Sequence, residues 1–305
     1  MAVVAGEIHS LDNINYKSRF KLFLLILICF FLFVMSFLSF YPIGEKLKTI
    51  LKANLQGACS PDYRDIGVEF FLPKVVVTDL TLPAACFGRS GDAVKLSFVK
   101  LNYQLINFSP FGLPFRLDTE IDGQPLSLYY VQGFGSQMIR LKDQSIVLSR
   151  LKNIMGDKFK LGGTVTVDMA MTMSNNKMSN FHLRAASKNF QIPSQNLQGF
   201  TLPNLKINEF FVEASSDSPP RINISKIILG DTSSPIRANF KGKITLMDGA
   251  VPFSPMDLTG EVTFSEDFKQ SVPLVDMMFQ SFSQKDGFYQ VKLGGTLGAP
   301  KPAPL

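Results

Sequence analysis

The chain has 305 residues, a formal net charge of +6, 28 phenylalanines and no tryptophan. Its Lys and Arg residues are spread out, which argues against a nucleic-acid groove and suits a domain that lies beside anionic lipid headgroups. Val, Ile, Leu, Phe and Thr recur throughout, whereas helix-forming runs of Ala, Glu and Lys are missing. The composition therefore predicts a mainly β protein.

An uncharged apolar run of twenty residues, from Leu22 to Tyr41, is the first strong signal along the chain. As a helix it would be about 30 Å long, which matches the hydrocarbon thickness of a bilayer. A cleaved signal peptide has a shorter apolar core followed by a small-x-small site, and a buried core helix is disfavoured because this run is apolar on all sides. We therefore predict a transmembrane helix at 22–41 after a tail at 1–21.

The charges that flank this run leave its orientation nearly balanced under the positive-inside rule. They are Lys17, Arg19 and Lys21 before it and Lys46, Lys48 and Lys52 after it. The short tail and the large, cysteine-containing remainder favour a cytoplasmic N-terminus and an exported C-terminal domain. For a bacterium this predicts a single-pass protein of the inner membrane with a periplasmic domain.

Residues 42–56 are expected to connect the span to the domain. Leu47, Ile50, Leu51 and Leu55 fall on one helical face, with lysines around the other. Such an amphipathic helix either lies on the lipid surface or caps the end of a sheet.

The three cysteines differ in their surroundings. Cys29 lies within the apolar run and is expected to be an inert small hydrophobe. Cys59 and Cys86 both lie in the exported part, where an oxidising compartment would allow a structural disulfide worth roughly 3–4 kcal/mol. The alternative is two free buried thiols; the Cys-x-x-Cys spacing of a redox pair is absent.

Period-two alternation dominates the predicted domain at 57–305. Strands are expected at 68–72, 75–82, 94–105 (with a bulge), 115–121, 126–131, 164–173, 181–185, 205–213, 221–229, 238–247, 258–265 and 289–293. Short helices are expected at 146–155 and 272–282, a connection at 191–203, and a closing segment at 294–305 whose prolines and glycines end the sheet. The predicted fold is a long curved antiparallel β-sheet, as a trough, a sandwich or an open barrel, with few short helices.

One face of this sheet is a candidate apolar groove. Val165, Val167, Met169, Met171 and Met173 point one way in the clearest strand of the chain. A second strand adds three residues to the candidate groove: Phe240, Ile244 and Leu246. These side chains either form an ordinary core face or line a groove that accepts acyl chains or a partner strand.

Catalytic patterns are missing from the sequence. Of two histidines, His9 is in the tail and His182 occupies an outward position of a strand, without an H-E-x-x-H or G-x-S-x-G motif. Gly133-Phe134-Gly135 begins like a dinucleotide fingerprint, but Met138 stands where the third glycine is needed. We therefore predict no enzyme activity, no catalytic residues, no cofactor and no metal.

The order of segments along the chain resembles a known family. The segments are DLTLPAACF followed by VKLSFVKLNYQLINFSPFG, then SPIRANFKGKITLMDGAVPFSPMDLTGEVTF, and the ending YQVKLGGTLGAPKPAPL. With the N-terminal anchor they are similar to type II secretion system protein N in its GspN form, and the layout is similar to AsmA-like proteins. Each motif is a hydrophobic alternation with one Gly or Pro, so the resemblance lies in their order.

The resemblance implies two functions. The first is a non-enzymatic inner-membrane component of the type II protein secretion system, which acts through contacts with other secretion subunits. The second, implied by the AsmA-like layout, is a lipid-binding or lipid-transfer protein whose β-trough holds acyl chains beside the membrane. The longer domain and the cysteine pair depart from the short form of the secretion protein, which argues against a simple pilot or coupling role and raises the second function as the alternative to the first.

Overall fold

A computed structural model of the protein describes residues 24–33, 36, 45–46, 49, 60–69, 74–87, 92–104, 112–133, 135–151, 160–175, 177–197, 200–216, 220–247 and 251–305. Residues 24–33 are helical and exposed. Among the residues that the structure describes, no helix is both long and apolar enough to cross a membrane. Much of the predicted span at 22–41 and of the helix at 42–56 lies outside the described residues.

Strands make up most of the described chain. They are β1 Asp65–Glu69, β2 Lys74–Leu82, β3 Val94–Tyr103, β4 Gly112–Ile121, β5 Gln124–Gly133, β6 Ser136–Val147, β7 Thr164–Ser174, β8 Lys177–Ser187, β9 Phe190–Ile192, β10 Gln195–Leu197, β11 Phe200–Leu202, β12 Leu205–Ile207, β13 Phe210–Ser216, β14 Arg221–Leu229, β15 Ile236–Thr245, β16 Met256–Phe264, β17 Gln284–Lys285, β18 Phe288–Thr296 and β19 Ala299–Pro304. Two short α-helices follow β16: α1 Glu266–Ser271 and α2 Pro273–Phe279. Short 3-10 helices lie at Ala84–Phe87, Leu148–Leu151 and Val251–Phe253.

Fifteen of these strands form one antiparallel sheet. Its order is β1 to β8, then β13 to β16 and β18, with β17 and β19 both paired to β18. At roughly 4.8 Å per strand, the path from β1 to β18 covers about 60 Å. The predicted class, a mainly antiparallel β fold with few helices, is confirmed.

Residues between β8 and β13 leave this sheet. They form two small sheets, β10 with β11 and β9 with β12. Phe190 of β9 and Ile207 of β12 pack on Val165 and Ala185 of the main sheet, and the Phe190 ring stacks on Phe210 at 4.8 Å. The connection predicted at 191–203 is therefore wrong: it contains short strands that cover one end of the sheet.

Four other predictions are corrected by the described residues. The range predicted as a helix at 146–155 begins with the end of β6, which reaches Val147, and the described residues after it form a 3-10 helix that ends at Leu151. The strand predicted at 205–213 is split between two sheets, and the helix predicted at 272–282 is preceded by α1 and ends at Phe279. The closing segment was expected to leave the sheet, yet β19 forms its edge.

The ladder between β5 and β6 is much shorter than the neighbouring ladder between β4 and β5. Four residue pairs, from Tyr129↔Arg140 to Gln132↔Gln137, join these strands, whereas ten join β4 to β5. Beyond this ladder, side-chain amides form hydrogen bonds between β5 and β6. Buried Gln124 donates to the Ser145 carbonyl at 2.8 Å and accepts from the Val147 N–H at 2.9 Å, and Gln144 accepts from the Ser127 N–H at 3.2 Å. We call this the amide seam.

We expect Gln124→Glu to open the amide seam. The carboxylate keeps an acceptor for the Val147 N–H but loses the part-buried hydrogen bond to the Ser145 carbonyl, and a lost bond of this kind costs about 1 kcal/mol. Hydrogen exchange of the full chain should become faster in residues 124–128 and 141–147. Gln137→Glu, in the regular ladder, is the control, and equal exchange in both variants would contradict the role of Gln124.

The structure also bears on the cysteines. Cys86 is disulfide-bonded and lies in the first 3-10 helix, whereas Cys29 is free and exposed. Cys59 lies outside the described residues, so the pairing of Cys59 with Cys86 stays a prediction.

Thiol counting tests this pairing. The denatured, unreduced full chain should take one maleimide, on Cys29, and three after reduction, since the chain has three cysteines. Intact-mass measurement gives the count. Three adducts before reduction would show that no intramolecular disulfide is present.

Candidate functional site

Cross-strand register gives the main sheet one continuous apolar face. A row of facing residues crosses six strands: Tyr103, Phe115, Tyr130, Ile139, Met171 and Phe181. A shorter parallel row crosses β2 to β5: Val75, Leu101, Leu117 and Leu128. All ten side chains are partly exposed, and we call them the apolar strip.

Aromatic contacts order part of the apolar strip. The rings of Tyr103 and Phe115 meet edge to face at 5.7 Å, and Phe115 stacks on Tyr130 at 6.4 Å. The Tyr130 hydroxyl donates to the Gln132 side chain, which satisfies its polar end and leaves the ring on the apolar face. These contacts fix the positions of the three rings relative to one another.

Much of the apolar face outside the strip is packed, and this packing reaches the strip at Phe181, which contacts one of the buried clusters. Four clusters of buried apolar residues are found in the described chain, and all their members lie between Leu148 and Leu293. The small sheets and the two helices supply part of this cover: Phe268 and Val272 pack near Phe264, and Phe279 packs against Tyr289. The partly exposed strip therefore lies in the β2 to β8 half of the sheet.

The predicted groove residues share this face but divide into two groups. Val165 and Val167 belong to a packed cluster, and so do the residues of β15 and its C-terminal flank: Phe240, Ile244 and Leu246. The methionines of β7, which are Met169, Met171 and Met173, are partly exposed and belong to none of the four clusters. Met171, which faces Ile139, belongs to the apolar strip, and Met169 and Met173 lie on either side of it along β7.

Sequence reasoning missed most of the apolar strip. The alternation that places Tyr103, Phe115 and Tyr130 was visible, but matching their phase across strands required the register. Ile139 lies in β6, whose sequence SQMIRLKDQSIV is too polar to show a strand pattern.

The opposite face is polar. A cross-strand row on it contains Lys74, Asn102, Arg116, Tyr129, Arg140, Ala170, His182, Ser215, Asn223, Lys243 and Asp257. Asp118 accepts from the Arg116 Nε at 2.8 Å and from the Ser127 hydroxyl at 2.5 Å. The charge of Asp118 is thus satisfied by neighbouring side chains of this face.

The pKa of Asp118 reports this polar environment. Burial raises it, but hydrogen bonds from Ser127 and Arg116 and the charges of Arg116 and Lys100 outweigh burial and hold the pKa below its ordinary value. Because the folded pKa is the lower one, the stabilisation is present above the ordinary carboxyl range and is lost as pH falls through the folded pKa.

A pocket of about 840 Å³ lies away from the apolar strip. Its lining includes Thr166, Ala186 and Phe211 of the polar face, with Glu209 and Asp231 from the loops. No group of three or more His, Cys, Asp or Glu in the described chain is arranged to hold a metal ion.

Prolines occupy the outer edge at β19. The Leu305 N–H donates to the Gln290 carbonyl at 3.4 Å, which places alternate residues of β19 in the bonded pairs. Pro300, Pro302 and Pro304 fall in the other pairs, so their nitrogens point away from β18. An incoming strand would therefore meet carbonyls but no donors at these three positions, as on natural protected edges.

We expect the triple variant Pro300→Ala, Pro302→Ala and Pro304→Ala to associate more strongly than the native chain. The substitutions restore three outward N–H donors to an edge strand. Sedimentation of the full chain in micelles should show a concentration-dependent dimer. Pro273→Ala, at the first turn of α2, is the control, and a triple variant that stays as monomeric as this control would contradict the role of the edge.

Comparison with known proteins gives no relative: no protein-family model matches the chain, and neither does any curated protein or solved structure. The resemblance to GspN and AsmA-like proteins stays a prediction.

Proposed function

We propose that the protein is a membrane-anchored, non-enzymatic protein that holds lipid acyl chains along the apolar strip. The observation that carries this proposal is the row of six facing residues from Tyr103 to Phe181. Their side chains are aromatic rings, an isoleucine and a methionine, and all six are partly exposed. Contiguous exposed apolar surface of this kind is unfavourable in water and marks a binding surface.

The dimensions of the strip suit acyl chains. It crosses seven strands, from β2 to β8, which is about 30 Å at roughly 4.8 Å per strand. The hydrocarbon of one lipid leaflet is about 15 Å thick, half of a bilayer core, so the strip is long enough for an extended acyl chain.

The chemistry of the strip also favours acyl chains over a partner strand. The backbone groups beneath it are already paired within the sheet, so a ligand needs no hydrogen bonds to bind there. Met171 and its neighbours adapt to chains of varied shape. A partner strand would instead pair with backbone groups at an edge of the sheet, at β1 or β19, and not with the side chains of the strip.

The predicted location is consistent with this proposal. The described residues 24–33 form an exposed apolar helical stretch, and the proposed anchor at 22–41 would hold the sheet beside its source of lipid. In a bacterium we propose the periplasmic side of the inner membrane.

Met171→Asp tests acyl binding. A charge placed within the strip, on β7, should repel acyl chains and lower the amount of bound lipid several-fold. The measurement is native mass spectrometry of the full chain released from micelles, with lipid extraction to identify the adducts. Ala170→Asp is the matched control, because Ala170 faces Arg140 and His182 on the polar side of the same strand.

A native chain that carries no lipid, or equal loads in the two variants, would overturn the proposal. The fold of each variant is checked by hydrogen exchange in the β7–β8 hairpin.

A second candidate is the secretion-system role implied by the order of segments. Those segments are β2, β3, β15, β16, β18 and β19, which lie in two blocks towards opposite ends of the main sheet. Pull-down of the intact protein from bacterial membranes should then recover other secretion subunits, and deletion should reduce export. Failure of both results would remove this candidate without affecting the lipid measurement.

A further inference from the structure

Four exposed apolar side chains gather at one end of β15, β16 and β18, on two adjoining loops. Met247 is 47% exposed, Val251 55%, Phe253 67% and Leu297 37%. We call them the rim patch. None belongs to the packed clusters of the described chain, although Ile244, Leu246 and Met256, close by in the sequence, do.

Backbone hydrogen bonds hold the two loops of the rim patch together. The Leu297 N–H donates to the Ser254 carbonyl at 3.0 Å, and the Gly298 N–H donates to the Pro252 carbonyl at 2.8 Å. Buried Ser254 accepts from the Met247 N–H at 3.0 Å through its hydroxyl. The patch is therefore a joined surface, whose apolar side chains stay outside while its polar groups are satisfied beneath.

Cations flank the rim patch. Arg221, Lys243 and Lys301 are exposed on the adjoining strands β14, β15 and β19. Asp257 faces Lys243 but is already paired with Lys292 at 3.1 Å. Among the described residues of this end, positive charge prevails, which complements an anionic surface.

The size of the rim patch indicates which kind of partner it can bind. A stable protein interface takes about 800 Å² and 20–30 residues from each side, far more than four side chains supply. An interfacial membrane contact needs only a few apolar side chains inserted at the headgroup boundary, with cations beside them. From these observations we propose that the rim patch inserts into the surface of a bilayer that contains anionic lipid.

This contact is separate from the N-terminal apolar stretch. The chain enters the sheet at β1, and β16 lies eleven strand spacings away along the sheet order, which is about 50 Å at roughly 4.8 Å each. The inference does not depend on the acyl-binding proposal, since it concerns loops at the strand ends and not the apolar strip.

The test uses the full chain held in a nanodisc of phosphatidylcholine, with Cys29→Ser and an NBD fluorophore on Val251→Cys. Vesicles of phosphatidylcholine with and without phosphatidylglycerol are then added. We expect blue-shifted, brighter emission and co-sedimentation with the anionic vesicles, both weakened by added salt. Phe253→Ser should weaken vesicle binding roughly tenfold, since the variant loses the apolar ring that would be buried at the headgroup boundary.

The control carries the fluorophore on Gln284→Cys, an exposed residue of β17 near the opposite ends of these strands. The proposal is overturned by no response to vesicles, by an equal response at both label positions, or by binding that Phe253→Ser leaves unchanged. A response at Val251 that depends on protein concentration without vesicles would show self-association instead and would also overturn it.

Discussion

Side-chain alternation must keep the same phase across neighbouring strands, because a slip of one residue would turn the apolar face of a strand towards water. A β-bulge shifts this phase locally, and one of the bulges of the sheet lies in β6 between Leu141 and Gln144. Asp143, inside that bulge, adopts a φ of 44°, a left-handed conformation that Asp tolerates better than most residues. The extra residue is absorbed there, so Leu141 faces Met169 and Ile139 faces Met171 on the same apolar face.

The two faces of the sheet and its edge at β19 differ in what they can bind. The polar face satisfies its charges locally, as Asp118 does with Arg116 and Ser127. The edge at β19 offers an incoming strand no N–H donors at its three prolines. The apolar face is packed beneath the small sheets and helices in its later strands and left partly exposed in its earlier strands. A ligand without hydrogen-bonding groups is the kind that this arrangement accommodates.

Much of the fold follows from the sequence where the alternation is strong, and the β7–β8 hairpin around Met171 is the clearest case. Prediction failed for β6, whose polar residues and bulge obscure its phase, and for β9 to β12, which are too short to show a period. It failed for β19 because prolines exclude an interior strand but not an edge strand. Of the apolar strip only Met171 was predicted, since matching Tyr103, Phe115 and Ile139 requires cross-strand register.

The central claim is that acyl chains lie against the apolar strip. Site-specific photo-crosslinking in native membranes tests it most directly, with benzoylphenylalanine at Ile139 on the apolar face or at Arg140 on the polar face of β6. The account predicts lipid adducts at position 139 and none at position 140, identified by mass spectrometry of the adjoining peptide. Adducts only to protein at 139, or equal lipid labelling at both positions, would contradict it.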